Sequence, residues 1–196
     1  MKKLQIFLIM ITLICCSNIN FYERNYNRES DLLNEYLVEF FINQGAYNNN
    51  SKILLYDSLK YVKGTSWPKR IDYIIKQIKN STLKIHFSTT DVVDTQFVEA
   101  LENLLTFPKI NIPINFSQIT CSEILNLYPI GKHKTPINPD GWEYYLSRPA
   151  LNRDSTRLCF TSSYYCGPLC AALTIVFMKK VDNKWKYVTE QIIMLS

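Results

Sequence analysis

Cys166 and Cys170 flank Gly167-Pro168-Leu169, and this pair is the arrangement in the chain with the most chemistry in it. Two thiols across so short a turn can approach the Cα separation of about 5.5 Å that a disulfide adopts. As a staple in an oxidising compartment the bond would contribute about 1–2 kcal/mol, because the ring it closes is small. The other readings are unpaired buried thiols, a redox pair that would make the chain a thiol oxidoreductase, and a metal-binding pair. A Cys-x-x-Cys redox motif is one residue shorter, and it needs a helix N-terminus to lower the thiol pKa. Here β-rich sequence follows, and no cationic residue stands between Ser162 and Thr174. Cys121 and Cys159 read as buried hydrophobes, with a bridge between them as the alternative.

Other chemistry-bearing residues form no pattern of comparable specificity. The two histidines are His86, which alternates onto the polar side of an expected strand, and His133, which lies between Lys132 and Lys134. A zinc site needs about four ligands, and a serine nucleophile needs a base held by an acid; neither set is legible, and there is no Gly-x-Ser-x-Gly elbow. Asp57, Asp72, Asp91, Asp94 and Asp140 could converge as a carboxylate pair, but helix caps and solvated turns account for them more simply. Trp142, Tyr144, Tyr145, Tyr164 and Tyr165 are an aromatic set that either packs the core or lines a carbohydrate- or protein-binding surface. No catalytic residue, metal site or cofactor is assigned.

The first sixteen residues carry an address. Lys2 and Lys3 precede an apolar run, Leu4 to Ile14, that ends at Cys15-Cys16. Crossing a bilayer takes about 20 apolar residues, so this segment is read as an export signal over 1–15 rather than an anchor. Leu13-Ile14-Cys15-Cys16 resembles a bacterial lipobox, in which the cysteine after the cleavage point is acylated. Cys16 is that residue here, and Cys15 stands where Gly, Ala or Ser is usual. Acyl chains at about 0.8 kcal/mol per buried CH₂ would hold the protein on a membrane, the outer one in preference to the inner. Cleavage after Ser17, giving a soluble secreted protein, and a buried apolar helix that never leaves the fold are the alternatives.

Lys2 and Lys3 leave with the signal, which takes the formal charge of +5 down by two, to +3. Basic residues are dispersed rather than striped, which speaks against a nucleic-acid partner. With 47% hydrophobic and 13% aromatic residues the chain has ample material for one core. Residues 16–28 are a polar tether and 29–196 a single domain.

The elements that must position these residues are read from periodicity. Leu32/Leu33, Tyr36/Leu37 and Phe40/Phe41 repeat every four residues, an amphipathic helix ending near Gly45. Ile53 to Tyr56 is a strand; Pro68 opens a second helix with Ile71, Ile74, Ile75 and Ile78 on one face. Leu83, Ile85 and Phe87 alternate as a strand. A third helix begins around Asp91 to Asp94 and carries Phe97, Leu101, Leu104 and Leu105. Pro113 restricts the run Ile110 to Phe116 to an edge strand or extended loop. Pro129 to Gly141 is a surface loop.

Three β-rich runs follow, Arg157–Tyr165, Ala172–Lys180 and Trp185–Leu195, with Asp182-Asn183 as a hairpin turn. Both faces of Leu173 to Met178 are largely apolar, and this should be the central strand. The last run changes phase, which predicts a bulge near Thr189 to Gln191. The class is α+β, with N-terminal helices packed on one face of an antiparallel sheet that ends in a three-stranded meander.

Gly141-Trp142-Glu143-Tyr144-Tyr145, Leu146-Ser147-Arg148-Pro149, Asn152-Arg153-Asp154-Ser155-Thr156, Tyr164 to Cys170 and Lys184-Trp185-Lys186 together resemble a recurrent group of small exported or lipid-anchored bacterial proteins common in Bacteroidetes. Cys-Gly-x-Leu-Cys between strands is the most specific element, and residues 117–196 carry most of the likeness. The resemblance implies a shared fold and export and supplies no catalytic residue. Helices followed by a sheet with an Asn183-Lys184-Trp185-Lys186 hairpin also resemble the cone of nuclear-transport-factor-like proteins. The expected protein is an envelope lipoprotein with a binding, assembly or structural role, its partners the membrane through its lipid and an envelope protein or glycan.

Overall fold

Leu173 to Met178 is apolar at alternate and intervening positions alike except for Thr174, so both sides of it favour burial and the sheet is expected to be covered twice. The computed structural model describes residues 31–44, 52–56, 58–59, 67–80, 93–107, 111–120, 127–130, 141–167 and 170–195. Residues 31–43 form helix α1; α2 spans Trp67–Lys79 and α3 Phe97–Thr106. The strands are β1 Lys52–Tyr56, β2 Ser58–Leu59, β3 Ile112–Pro113, β4 Leu127–Ile130, β5 Gly141–Leu146, β6 Ala150–Leu151, β7 Arg157–Gly167, β8 Cys170–Val181 and β9 Lys184–Leu195. Among the described residues no helix is long and apolar enough to cross a membrane.

The main sheet runs β4-β1-β5-β7-β8-β9, with β6 also on β7, and β2 pairs β3 separately. The α+β class and the C-terminal meander β7-β8-β9 are as the sequence implies. Two features differ. First, β1 lies parallel between β4 and β5, so that end of the sheet is not antiparallel. Long connections make it possible: the stretch from β1 to β4 contains α2 and α3, enough chain for a crossover.

Second, the helices take both faces. On β7, Leu158 and Phe160 pack with Leu33, Tyr36, Leu37, Phe40 and Phe41 of α1, while Cys159 between them packs with Ile71, Ile75, Phe97 and Leu101 of α2 and α3. On β8, Val176 and Met178 belong to the α1 side and Ile175 and Phe177 to the other. All four are completely buried. A strand without a polar face needs this arrangement, and helices on one side alone could not supply it.

Aromatic contacts fix the first layer. Phe40 meets Phe160 edge-on at 5.2 Å, and Phe41 meets Tyr144 likewise at 5.0 Å, a geometry the ring quadrupole favours. A polar seam ties α1 along β9: Trp185 Nε1 donates to Glu35 Oε2 at 2.9 Å, the Tyr187 backbone N–H to Glu39 Oε1 at 3.3 Å, and Gln44 Nε2 to Glu190 Oε2 at 3.0 Å.

Local signals explain the boundaries. Asp182 and Asn183 have φ of 49° and 61°, which suits the primed turn of a two-residue hairpin. Helix α3 starts at Phe97 and not at Asp91–Asp94, because Asp94 is spent on the preceding turn: its Oδ1 accepts from the Gln96 N–H at 3.0 Å. Pro129 lies in β4 opposite Leu55, and Gly141 is the first residue of β5, so the expected loop is shorter at both ends. An edge strand tolerates a proline that donates no ladder bond. Strand β9 has two bulges flanking the expected position: Phe177 and Met178 face Thr189 and Tyr187, leaving Val188 as the extra residue, and Ile193 is the extra residue of the other. Both are buried in the α2–α3 core. The expected strand at Leu83–Phe87 lies outside the described residues.

Candidate functional site

The alternation of a strand forces consecutive tyrosines apart, and β5 and β7 each carry a pair. Tyr144 and Tyr164 turn to the α1 side, Tyr144 in the core and Tyr164 packed against it. Tyr145 and Tyr165 take the opposite face. There, α2 and α3 cover one end: along β7, Cys159 and Thr161 are buried, whereas Ser163 and Tyr165 beyond them are partly exposed. The aromatic set named from the sequence is thus divided between core and surface. For Trp142 the ladder gives a position opposite Ile53.

On that uncovered part of the face three tyrosines surround one carboxylate. Glu143 stands opposite Leu54 of β1 and Tyr165 of β7, and Tyr145 follows it on the same side of β5. Tyr56 O–H donates to Glu143 Oε2 at 3.3 Å, and the rings of Tyr56 and Tyr145 stack with centroids 3.6 Å apart and planes 21° from parallel. The two phenols also share a hydrogen bond. Partial burial raises the Tyr56 pKa, the Tyr145 contact offsets part of this, and the Glu143 charge adds to it. Tyr145 rises well above a normal phenol, by burial first and then through Tyr56 and Glu143. Both phenols stay protonated at neutral pH, as hydrogen-bond donors. Sequence reading missed Tyr56 and Glu143 as members of this group; only the parallel β1–β5 pairing joins them.

A second polar group lies on the α1 side. Glu190, held by Gln44, also shares a hydrogen bond with Thr174, and burial lifts its carboxyl above the ordinary range while the two bonds pull it back. Burial likewise raises the Tyr144 and Tyr187 phenols, with the Glu190 charge second. This group joins α1 to β8 and β9.

The third polar feature is a shallow cleft of about 340 Å³ lined by Thr95, Gln96, Glu99, Asn152, Arg153 and Asp154. Its groups are largely engaged with one another: the Arg153 N–H donates to Glu99 Oε2 at 2.9 Å, and Asn152 Oδ1 accepts from the N–H groups of Thr156 at 2.9 Å and Arg157 at 2.8 Å. The Asn152–Thr156 segment is a self-bonded turn.

Among the cysteines, Cys159 is a free, buried thiol whose pKa burial pushes up, the hydrophobe read from the sequence. Cys166 falls at a bulge at the closing end of the β7–β8 ladder, where Gly167 stands opposite Cys170; the two side chains lie outside the described residues. So do Cys16, Cys121, His86, His133, Asp57, Asp91 and Asp140. Asp72 is exposed on α2. Asp94 forms an ion pair with Arg157, a structural role rather than half of a carboxylate pair. No group of three or more His, Cys, Asp or Glu placed to hold a metal occurs among the described residues.

No family model, no curated protein and no solved structure matches this chain.

Proposed function

We propose that this protein is a lipid-anchored component of the bacterial envelope that acts as a non-catalytic binding module. The N-terminal pattern Lys2-Lys3, the short apolar run and Cys16 support the anchor; the membrane is reached through acyl chains on that residue. The observation that carries the binding half is the Tyr56–Glu143–Tyr145–Tyr165 patch, where donor phenols and a carboxylate share a partly exposed sheet face beside the helix-covered core. An envelope protein or glycan is the partner class.

Cys16→Ala tests the anchor. It should leave precursor uncleaved and move the protein out of the detergent phase on partitioning; normal maturation and partitioning of the variant would refute the lipoprotein reading. For binding, in-cell crosslinking followed by mass spectrometry should give a partner set that the Tyr145→Ser/Tyr165→Ser variant loses while it still folds.

A further inference from the structure

We propose that Tyr56 and Tyr145 form an oxidative cross-linking site, at which a one-electron oxidant joins the two rings as a dityrosine and so locks β1 to β5. The reaction lies between two side chains already in contact and does not depend on what the surface binds.

Strand register places the pair. β1 and β5 run parallel with Leu55 opposite Tyr144, and Tyr56 and Tyr145 are the next residue on each strand. Neighbours in that relation turn to the same face of the sheet. Their ring centroids are 3.6 Å apart and their planes 21° from parallel. Phenol oxygens that share a hydrogen bond must lie at the same end of such a stack, so the ortho carbons beside each hydroxyl face their counterparts. Those carbons carry much of the unpaired spin of a phenoxyl radical, and a C–C bond forms between them. Both rings are partly exposed, which lets an electron pass to an acceptor at the surface. Tyr144 and Tyr164 make the contrast: their centroids are 6.1 Å apart with planes at 47°, and Tyr144 is buried.

Each phenol gives up one electron and one proton. Both are protonated at neutral pH, so a base must take the proton as the electron leaves. The Tyr56 O–H already donates to Glu143 Oε2 at 3.3 Å; Glu143 accepts this proton and passes it to water, and the Tyr145 proton goes to water as well. The two radicals couple Cε to Cε. Rotation of the side chains about their Cα–Cβ and Cβ–Cγ bonds opens the stack into the biaryl, while the two ring hydrogens at the new bond leave as protons and the phenol oxygens are reprotonated. The chain loses two hydrogen atoms in all, and two equivalents of oxidant each gain one electron. With a ferryl haem as the oxidant, one hydrogen peroxide ends as two waters. Like a disulfide the bond constrains the unfolded chain, but thiols cannot cut it.

The test uses the dilute full mature chain with tris(bipyridine)ruthenium(II), light and persulfate, which generate ruthenium(III) as the one-electron oxidant. Free N-acetyltyrosinamide in the same tube reports that oxidant is delivered. The monomer should gain the blue fluorescence of dityrosine, lose the mass of two hydrogen atoms, and yield a cross-linked peptide pair that contains Tyr56 and Tyr145. Its urea midpoint should rise. Tyr56→Phe and Tyr145→Phe keep the ring and, with circular dichroism and melting unchanged, each should abolish this cross-link. Glu143→Gln should slow its formation severalfold while N-acetyltyrosinamide is consumed as before. Absence of a Tyr56–Tyr145 cross-link when N-acetyltyrosinamide is consumed, cross-links that map chiefly to other tyrosines, or products found only between two chains would each overturn the proposal. Equal rates in wild type and Glu143→Gln would overturn the assignment of Glu143 as the proton acceptor.

Discussion

Arg157 and Asp94 form a forked ion pair that joins the first residue of β7 to the turn before α3. Arg157 Nε lies 3.3 and 3.1 Å from the two carboxylate oxygens, and Nη2 donates to Oδ2 as well. The guanidinium also lies over the Phe97 ring, 5.4 Å from its centroid. Lysine can reproduce neither the fork nor the planar stacking. Arg157→Lys should therefore cost about 1–2 kcal/mol, and Arg157→Ala about 1.5–3 kcal/mol, since hydrogen bonds to charged groups sit at the upper end of the range. Urea midpoints measure both; equal stability of wild type and Arg157→Ala would show the pair to be ornamental.

Phe177 is the anchor of the second layer. It is fully buried on β8 and meets Phe97 edge-on at 5.4 Å. Phe177→Ala should cost about 3–5 kcal/mol, enough to unfold a domain of marginal stability. A melting temperature within a degree or two of wild type would mean that this strand is not where the core depends on it.

Glu190 predicts a pH dependence with a definite sign. Burial raises its carboxyl in the folded state, so between its unfolded value of about 4.3 and the higher folded value the folded state holds the proton and the unfolded chain does not. This group's contribution to stability is fully present below the unfolded value. It is lost as pH rises through the folded one. Glu190→Gln cannot titrate and still offers Gln44 an acceptor. The variant should gain on wild type as pH rises from about 4 through the raised folded value, a difference that thermal melts at matched ionic strength would detect. A gap independent of pH would remove Glu190 from the titrating set.

For Cys166 and Cys170 the expected outcome is a bond that is present in exported protein and inert in turnover. A catalytic disulfide needs an exposed thiol of low pKa, usually under a helix dipole, and here the backbone on both sides is strand. Differential alkylation and mass spectrometry should find the pair oxidised and resistant to glutathione. The Cys166→Ser/Cys170→Ser variant should lose about 1–2 kcal/mol. Free thiols in native protein would contradict the staple. Insulin reduction that vanishes in the double variant would establish the oxidoreductase instead.

What the sequence by itself determined was local: the four-residue repeat of α1, the isoleucine face of α2, the two-sided burial of β8, and the left-handed turn at Asp182-Asn183. Each follows from a period of 3.6 or 2 or from the φ preferences of a few residues, and neighbours along the chain suffice to express it. The Asn183-Lys184-Trp185-Lys186 end was legible in the same way, although the partner of Trp185, Glu35 on α1, was not.

The tertiary structure decided which side each local face would meet. Alternation says that Tyr144 and Tyr145 point apart, but whether a given one joins the core depends on where α1 and the α2–α3 pair settle, and that choice is made by packing between surfaces remote in sequence. The same holds for the candidate site. Tyr56 reaches Glu143 because β1 inserts parallel beside β5, and Tyr165 because β7 pairs antiparallel on the other side; strand pairing over such separations is selected by the burial and hydrogen bonding of the whole sheet, a sum to which no single stretch of residues contributes enough to be read alone.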